Sequence, residues 1–234
     1  MKKNLTLFLI FINFMIIFSG RCNMAKDSKP QSGNPITIKL SQPRLKSQTS
    51  VEEALQRRKS RRSFLNLPLA LDEVSQVLWS AQGITREDFY RTAPSPGALY
   101  PLEIYVFVGN VIGVSKGIYK YKPYEHELIK VADGDKRYEL SVAALEQDFL
   151  DSAAIDILFC AVFERVTKKY GNRGITYVHI EVGHASQNVY LQCEALNLGT
   201  VAIGAFENEK VKKIFKMEPS EEPLYIMPIG RIKK

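Results

Sequence analysis

Cysteine is scarce in this chain: Cys22, Cys160 and Cys193 are all that 234 residues contain. Three thiols at these spacings build neither a disulfide framework nor a zinc site. Cys160 falls in an apolar strand-like run and Cys193 in a helical one, so both read as small buried apolar residues. Histidine is as rare, with His126, His179 and His184. His179 and His184 stand five apart, a poor spacing for two ligands on one helix, and no Ser-His-Asp arrangement is legible. His126 sits in an expected turn with no visible partner. No G-x-G-x-x-G follows a first strand, which argues against a doubly wound dinucleotide fold. Repeats and low-complexity blocks are absent, and so is a strong charge of one sign. Without Lys2, Lys3 and Arg21, which belong to a distinct N-terminal stretch, 29 basic residues face 25 acidic ones. That balance gives little support to a nucleic-acid partner.

Long hydrophobic runs are missing too, with one exception. Leu5 to Phe18 is almost wholly apolar, follows Lys2 and Lys3, and precedes Ser19-Gly20. It is short for a bilayer span of about 20 residues. Residues 1–22 therefore read as a signal peptide or N-terminal anchor, giving an exported or membrane-anchored protein, against the alternative of a cytoplasmic chain with an apolar start. Cys22 stands where a lipid-modified cysteine would sit, although Arg21 is a poor residue before it. Residues 23–48 are polar, with Pro30, Pro35 and Pro43, and read as a tether or surface arm. Residues 49–234 form the domain proper, with enough apolar residues for one full core.

Within that domain, Ser50 with Glu53 is a capping-box pattern, and a helix is expected to run to about Arg58. Asp72 can cap a second helix, with Val74, Val77, Leu78 and Ala81 on one face and Gly83 at its end. Glu103–Gly109 and Ala154–Phe163 read as buried strands. Gly117–Tyr121 and Glu127–Val131 read as a hairpin. Further helices are expected over 136–147, 174–197 and 208–215, and further strands over 200–203 and 224–229. Strands joined by hairpins as well as helices indicate a mixed α+β layer fold.

Four segments carry chemistry. In the basic run Arg57-Arg-Lys-Ser-Arg-Arg62, Arg58, Ser60 and Arg62 alternate and would project to one side of an extended segment. Two guanidinium forks around a hydroxyl suit a phosphate monoester. By charge alone a solvated run is the better reading, but Phe64, Leu65 and Leu67 follow at once and pin the segment to a core. Ala93-Pro-Ser-Pro-Gly-Ala-Leu-Tyr-Pro101 fixes an irregular backbone that can approach a planar ligand, with Ser95 as a polar handle; an ordinary rigid turn is an equal reading. Glu181-Val-Gly-His-Ala-Ser-Gln-Asn188 crowds polar residues where a long apolar helix begins, with Glu181, His184 and Asn188 near one face. Lys168-Lys-Tyr-Gly-Asn-Arg173 reads as a polar loop after a strand, with a lysine and a tyrosine able to handle protons.

In this order, these segments resemble the FMN-dependent nitroreductase family. The nearest branch is that of the SagB-type dehydrogenases, which include thiazole/oxazole-forming peptide oxidases. The resemblance runs from about Ser50 to Gly230 and also rests on Leu78-Trp-Ser-Ala-Gln-Gly83 and Ala202-Ile-Gly-Ala-Phe206. It implies an α/β sandwich with a mostly antiparallel central sheet flanked by helices, and a homodimer with FMN at the subunit interface. Arg58, Ser60 and Arg62 match positions that hold the FMN phosphate and ribityl chain. Pro94, Ser95 and Gly97 match the loop that contacts the flavin, with Ala98 and Leu99 beside them. Gln187 falls in the helix near the cofactor. Ile203, Gly204 and Ala205 match the strand beside the ring, and Arg231 matches a late phosphate contact. Lys169 and Tyr170 match the catalytic Lys-Tyr pair of the peptide oxidases.

The implied activity is transfer of hydride or electrons between a donor such as NAD(P)H and a small planar or peptide-derived substrate. The alternative is a flavin-binding or sensory module without turnover, tethered at a membrane.

Overall fold

The computed structural model describes residues 36–88 and 90–233. The N-terminal apolar stretch, Cys22 and the first part of the polar arm lie outside them. Seven strands form one sheet: β1 (Thr37–Lys39), β2 (Leu102–Val108), β3 (Gly117–Lys122), β4 (Glu127–Asp133), β5 (Ile155–Ala161), β6 (Leu198–Thr200) and β7 (Glu222–Arg231). Their order is β1-β4-β3-β2-β5-β7-β6, and every pairing is antiparallel. Seven helices surround them: α1 (Val51–Arg57), α2 (Leu71–Gln82), α3 (Arg137–Ala143), α4 (Phe149–Ser152), α5 (Glu164–Tyr170), α6 (Arg173–Ala195) and α7 (Asn208–Phe215).

The strand period of two sorts the core into two layers. Ile104, Val106 and Val108 of β2 and Ile155, Ile157 and Phe159 of β5 pack with Val74, Val77 and Leu78 of α2 and Val178, Val182, Ala185 and Val189 of α6. Tyr105, Phe107, Leu158 and Cys160 point the other way, onto Leu140 of α3 and Val211 and Phe215 of α7. The central strands are buried on both faces, so they read as largely apolar runs, interrupted by Glu103 in β2 and Asp156 in β5, rather than as alternation. Cys160 and Cys193 are both free and buried.

The ends of the helices show where local chemistry decides. Ser50 caps α1 by accepting from the Glu53 N–H at 3.1 Å. Asp72, the expected cap of α2, lies inside its first turn. The Glu73 carboxylate instead accepts from the Ala70 N–H at 2.8 Å. The helix expected over 136–147 breaks after Ala143, because Leu145 and Glu146 adopt φ of 58° and 62°. The strand expected over 200–203 is displaced to Leu198–Thr200. Ile203 instead forms an isolated bridge with Ile226. Thr37–Lys39, in the stretch read as a polar arm, forms the edge strand β1 on β4.

His126 has partners that the sequence did not reveal. Its Nδ1 lies 2.8 Å from the Tyr121 hydroxyl, and its Nε2 lies 2.8 Å from Ser75 Oγ and 3.0 Å from the Ser41 carbonyl. One imidazole thus ties β3, α2 and the N-terminal arm together. Burial holds its pKa below the usual histidine value, and the Ser41 carbonyl only partly offsets that. A depressed folded-state pKa means that stability is complete above the ordinary histidine range and is lost as pH falls through it. Wild type should therefore lose thermal stability between pH 7.5 and 5.5 by more than His126→Asn does. In differential scanning calorimetry at the two pH values, equal losses would contradict this. The substitution itself should cost about 1–3 kcal/mol through the hydrogen bonds removed.

Candidate active site

The long helix α6 carries the site. Val178, Val182, Ala185, Val189 and Cys193 recur at helical spacing and are buried. Two acids sit among them: Glu181 is 0% exposed and Glu194 is 4% exposed. The polar cluster from Glu181 to Asn188 lies mid-helix rather than at a helix start, since α6 begins at Arg173. Its members also part company: Glu181 faces inward, His184 is exposed, and Asn188 donates to the Thr92 carbonyl at 3.3 Å.

The basic run is sorted by Glu194. Arg61 reaches its carboxylate at 3.4 Å and Arg57 at 3.9 Å. Arg61 is further pinned by its backbone N–H to the Thr200 carbonyl at 2.9 Å. The alternate residues point elsewhere. Arg58 lies over the Tyr190 ring, with Cζ 5.3 Å from its centroid, and Ser60 Oγ is 3.2 Å from the Tyr190 hydroxyl. Neither Arg58 nor Arg62 forms an ion pair among the described residues, so two positive charges remain uncompensated on either side of the Ser60 hydroxyl, whose partner is the Tyr190 hydroxyl. That donor set fits a phosphate monoester. Tyr190 also accepts from the Ala202 N–H at 2.7 Å, joining this segment to the start of the Ile203–Ala205 stretch. Gly204 is exposed, 3.4 Å separates a Cβ placed on it from the Tyr225 ring, and it borders a cleft of about 410 Å³ with Phe163, His179 and Val182. The Ala205 carbonyl accepts from Gln147 at 3.1 Å.

The proline loop folds onto Glu181. Ser95 Oγ donates to Glu181 Oε2 at 2.5 Å and accepts from the Tyr100 N–H at 2.9 Å. Pro96–Ala98 make a 3₁₀ turn in which Gly97 has φ +63°, and Ala98 and Tyr100 are also left-handed at 53° and 44°. A Cβ on Gly97 would stand 2.7 Å from the Tyr170 hydroxyl and 3.0 Å from Lys169 Nζ. The structure therefore brings Lys169 and Tyr170 against the loop. They do not lie in a polar loop as expected, but at the end of α5, which Gly171 closes at φ 57°. Pro94, Ser95, Gly97 and Ala98 line a cleft of about 590 Å³ with Arg86, Tyr90 and Arg91. Leu99 lines a neighbouring cleft with Tyr100, Tyr124 and Arg165.

Burial pushes the Glu181 carboxyl up to about 7, and the Ser95 hydroxyl and the Arg91 charge only partly oppose it. Arg91 spends one N–H on Gln82 Oε1 at 2.9 Å and stacks on Tyr100, 4.5 Å from the ring centroid.

Two expected residues stand apart from these groups. Arg231 is held in a bidentate fork by Glu73 at 2.7 and 2.6 Å, with its Nε toward the Pro68 carbonyl. Gln187 is half-buried on α6. Glu194 and Tyr190, which arrange the basic run, escaped the sequence reading. The one available signal was their position on the α6 stripe, where a buried acid requires a cation.

The family model described as the nitroreductase family matches residues 55–231. The chain belongs to the nitroreductase family. It is 46% identical over 181 residues to a candidate nitroreductase of Methanocaldococcus jannaschii, covering 77% of this chain and 90% of that one. A solved candidate nitroreductase from Anabaena variabilis superposes with a TM-score of 0.76 at 27% identity, over 85% of this chain and 42% of that one. The microcin B17-processing protein McbC of Escherichia coli is 25% identical over 148 residues, 61% of this chain and 54% of its own. The chain thus spans about half the length of the last two. The likeness to McbC fits the SagB-type branch. Membership makes the protein an oxidoreductase of a family whose members generally depend on a flavin.

The contact at Gly97 is testable. Gly97→Ala forces a left-handed alanine and moves the lysine and tyrosine tips, and it should cost about 1–2 kcal/mol of stability. Chemical denaturation should show a lower midpoint with an unchanged slope. A midpoint equal to wild type would mean that the loop is not packed as described.

Proposed function

We propose that this nitroreductase-family protein binds FMN and transfers hydride or electrons between a donor such as NAD(P)H and a small planar or peptide-derived substrate. The observation that carries the reading is the sorting of the arginines: Glu194 pairs with Arg61, Glu53 and more distantly Glu194 pair with Arg57, and Arg58 and Arg62 on either side of Ser60 are left without a carboxylate. A cationic pair without a carboxylate is stable only where water or an anion screens it, and a phosphate dianion does so with directed bonds. A bound flavin would supply the hydride and one-electron chemistry. The chain's own part is positional. Arg58, Ser60 and Arg62 grip the phosphate, and the exposed backbone of Gly204 and Ala205 flanks the ring beside Ile203. Pro94, Ser95, Gly97, Ala98 and Leu99 supply the facing loop, and Gln187 belongs to the helix near the cofactor. Arg231 joins the phosphate only by leaving Glu73. Lys169 and Tyr170 accept the substrate proton when the reaction is a dehydrogenation.

The same reading includes a homodimer. Ile175 and Ile180 are 45% and 46% exposed on α6, and Gly183 beside them has no atom within 4 Å of a Cβ placed on it. A bare glycine beside two apolar side chains suits the close approach of a second α6. The apolar stretch 1–22 attaches or exports the protein in this reading.

Purified residues 23–234 should be yellow and release FMN on denaturation. Colourless protein that takes up no added FMN would overturn the assignment. Arg58→Ala and Arg62→Ala should each weaken FMN binding about tenfold or more, the worth of one charge-assisted contact, as measured by flavin fluorescence. Lys169→Ala should abolish dehydrogenation and spare NAD(P)H-driven reduction of a simple quinone. Full dehydrogenation by that variant would remove the lysine from the mechanism.

A further inference from the structure

The proline loop is strained, and a buried carboxyl on α6 is one of the groups that hold it. Gly97, Ala98 and Tyr100 have φ of 63°, 53° and 44°. Left-handed conformations at the two non-glycine positions cost about 1–2 kcal/mol each and persist only where the surroundings fix them. Three attachments do so here. Tyr100 N–H donates to Ser95 Oγ, the Tyr100 carbonyl accepts from Arg165 at 3.1 Å, and the Tyr100 hydroxyl accepts from the Arg91 N–H at 3.2 Å. Ser95 is the pivot of the first. Because its oxygen accepts from Tyr100, its proton goes to Glu181 Oε2. The loop is therefore latched to α6 through a single carboxyl group. On its other side the loop presses Gly97 against Tyr170 and Lys169.

We propose that Glu181 is a positioning residue for the Lys169–Tyr170 pair, acting as a proton-dependent latch: with its carboxyl neutral it holds the strained loop closed against the pair, and ionisation loosens the loop. The proposal rests on the oxidoreductase reading of this site for its consequence in turnover, but the latch itself does not. Neither Glu181 Oε1 nor Gln82 Nε2 has a hydrogen bond within ordinary reach, and the nearby Gln82 amide and Arg91 charge, which favour the ionised form, are outweighed by burial. The charge that acts on the carboxyl is that of Arg91; Lys169 and Tyr170 of α5 lie on the far side of the loop, against Gly97. The helix α2 presents the uncharged Gln82, while Tyr177 and His184 lie about one turn away on α6. Arg91 is engaged by Gln82 and the Tyr100 ring.

The sign follows from linkage. In the closed loop the carboxyl titrates near 7, whereas in an opened, hydrated loop it would titrate near its ordinary value of 4.5. The opening equilibrium should then rise by up to about tenfold per pH unit between 4.5 and 7 and level off above.

Amide hydrogen exchange of the 93–101 segment, corrected for intrinsic rates, reads this directly between pH 5 and 8. Wild type should lose protection at Ala98 and Tyr100 as pH rises to 7. Glu181→Gln, which keeps an acceptor for Ser95 and cannot ionise, should stay protected throughout. Ser95→Ala should be unprotected at every pH. A wild-type profile that is flat, or one that Glu181→Gln reproduces, would overturn the latch. Stopped-flow measurement of substrate oxidation supplies the second readout: the inflection in kcat near pH 7 should vanish in Glu181→Gln, with KM little changed. An inflection that persists in the variant would place it elsewhere. Failure of FMN binding with an intact exchange profile would sink the cofactor reading and leave the latch standing.

Discussion

Two buried carboxylic acids on one helix organise the irregular parts of this protein. A carboxylate removed from water must be paired, hydrogen-bonded or neutralised by a proton. Glu194 takes the first course and draws Arg57 and Arg61 across α6. Glu181 takes the second and third, with a hydrogen bond from Ser95 and a carboxyl pushed up to about 7 by burial. Each acid therefore anchors a stretch of chain that has no regular structure of its own. The basic segment after α1 is fixed by its charge, and the proline loop before β2 by a hydroxyl. These two stretches contain most of the residues that the family resemblance assigns to the cofactor.

The pairing at Glu194 also determines which arginines remain free. In an extended segment the side chains alternate, so Arg61 reaches Glu194 while Arg58 and Ser60 meet Tyr190, one turn earlier on the same helix, and Arg62 stays exposed. The free pair is a consequence of the buried pair. An arginine run with no acid beneath it would have no preferred side and would behave as a solvated charge patch. Losing Glu194 would leave Arg58, Arg61 and Arg62 without a carboxylate, since only Arg57 keeps a second acid, Glu53, and the mutual repulsion of the three would loosen the segment. The chemistry exposed at the surface thus depends on a side chain that is 4% exposed.

This explains what could be read from the amino-acid order. The alternation in Arg58–Arg62 was legible because it is local, and so were the central strands, whose apolar runs have few other uses. Val178, Val182, Ala185 and Val189 revealed α6 for the same reason. Glu194 and Tyr190 were not legible, because their importance lies in residues 130 or more positions away. The partners of His126 come from β3, α2 and the arm, and only the tertiary fold assembles them. Lys169 and Tyr170 were taken for loop residues because Lys168-Lys169 and Gly171-Asn172 resemble loop chemistry. In fact the lysines occupy the last turn of α5, where positive charge complements the exposed carbonyls, and Gly171 terminates it.

The geometry around Gly97 shows why the loop carries no side chain at its tip. Any Cβ there would displace the lysine and tyrosine that end α5, so glycine meets both the left-handed backbone and the lack of space. Closure of the loop and placement of the Lys-Tyr pair are then one event. Since the loop is strained, closure must be maintained by attachments outside it, and Glu181 is the only one of these whose own charge state varies near neutrality. The other two attachments are the Arg91 backbone N–H to the Tyr100 hydroxyl and the Arg165 guanidinium to the Tyr100 carbonyl. A site built this way has two invariant clamps and one that follows the proton. The invariant clamps hold Tyr100, at the base of the loop, whereas the variable one holds Ser95, next to the turn that bears on Lys169 and Tyr170. Proton-dependent motion is thereby confined to the segment facing Lys169 and Tyr170, while β2 and the sheet behind it stay fixed.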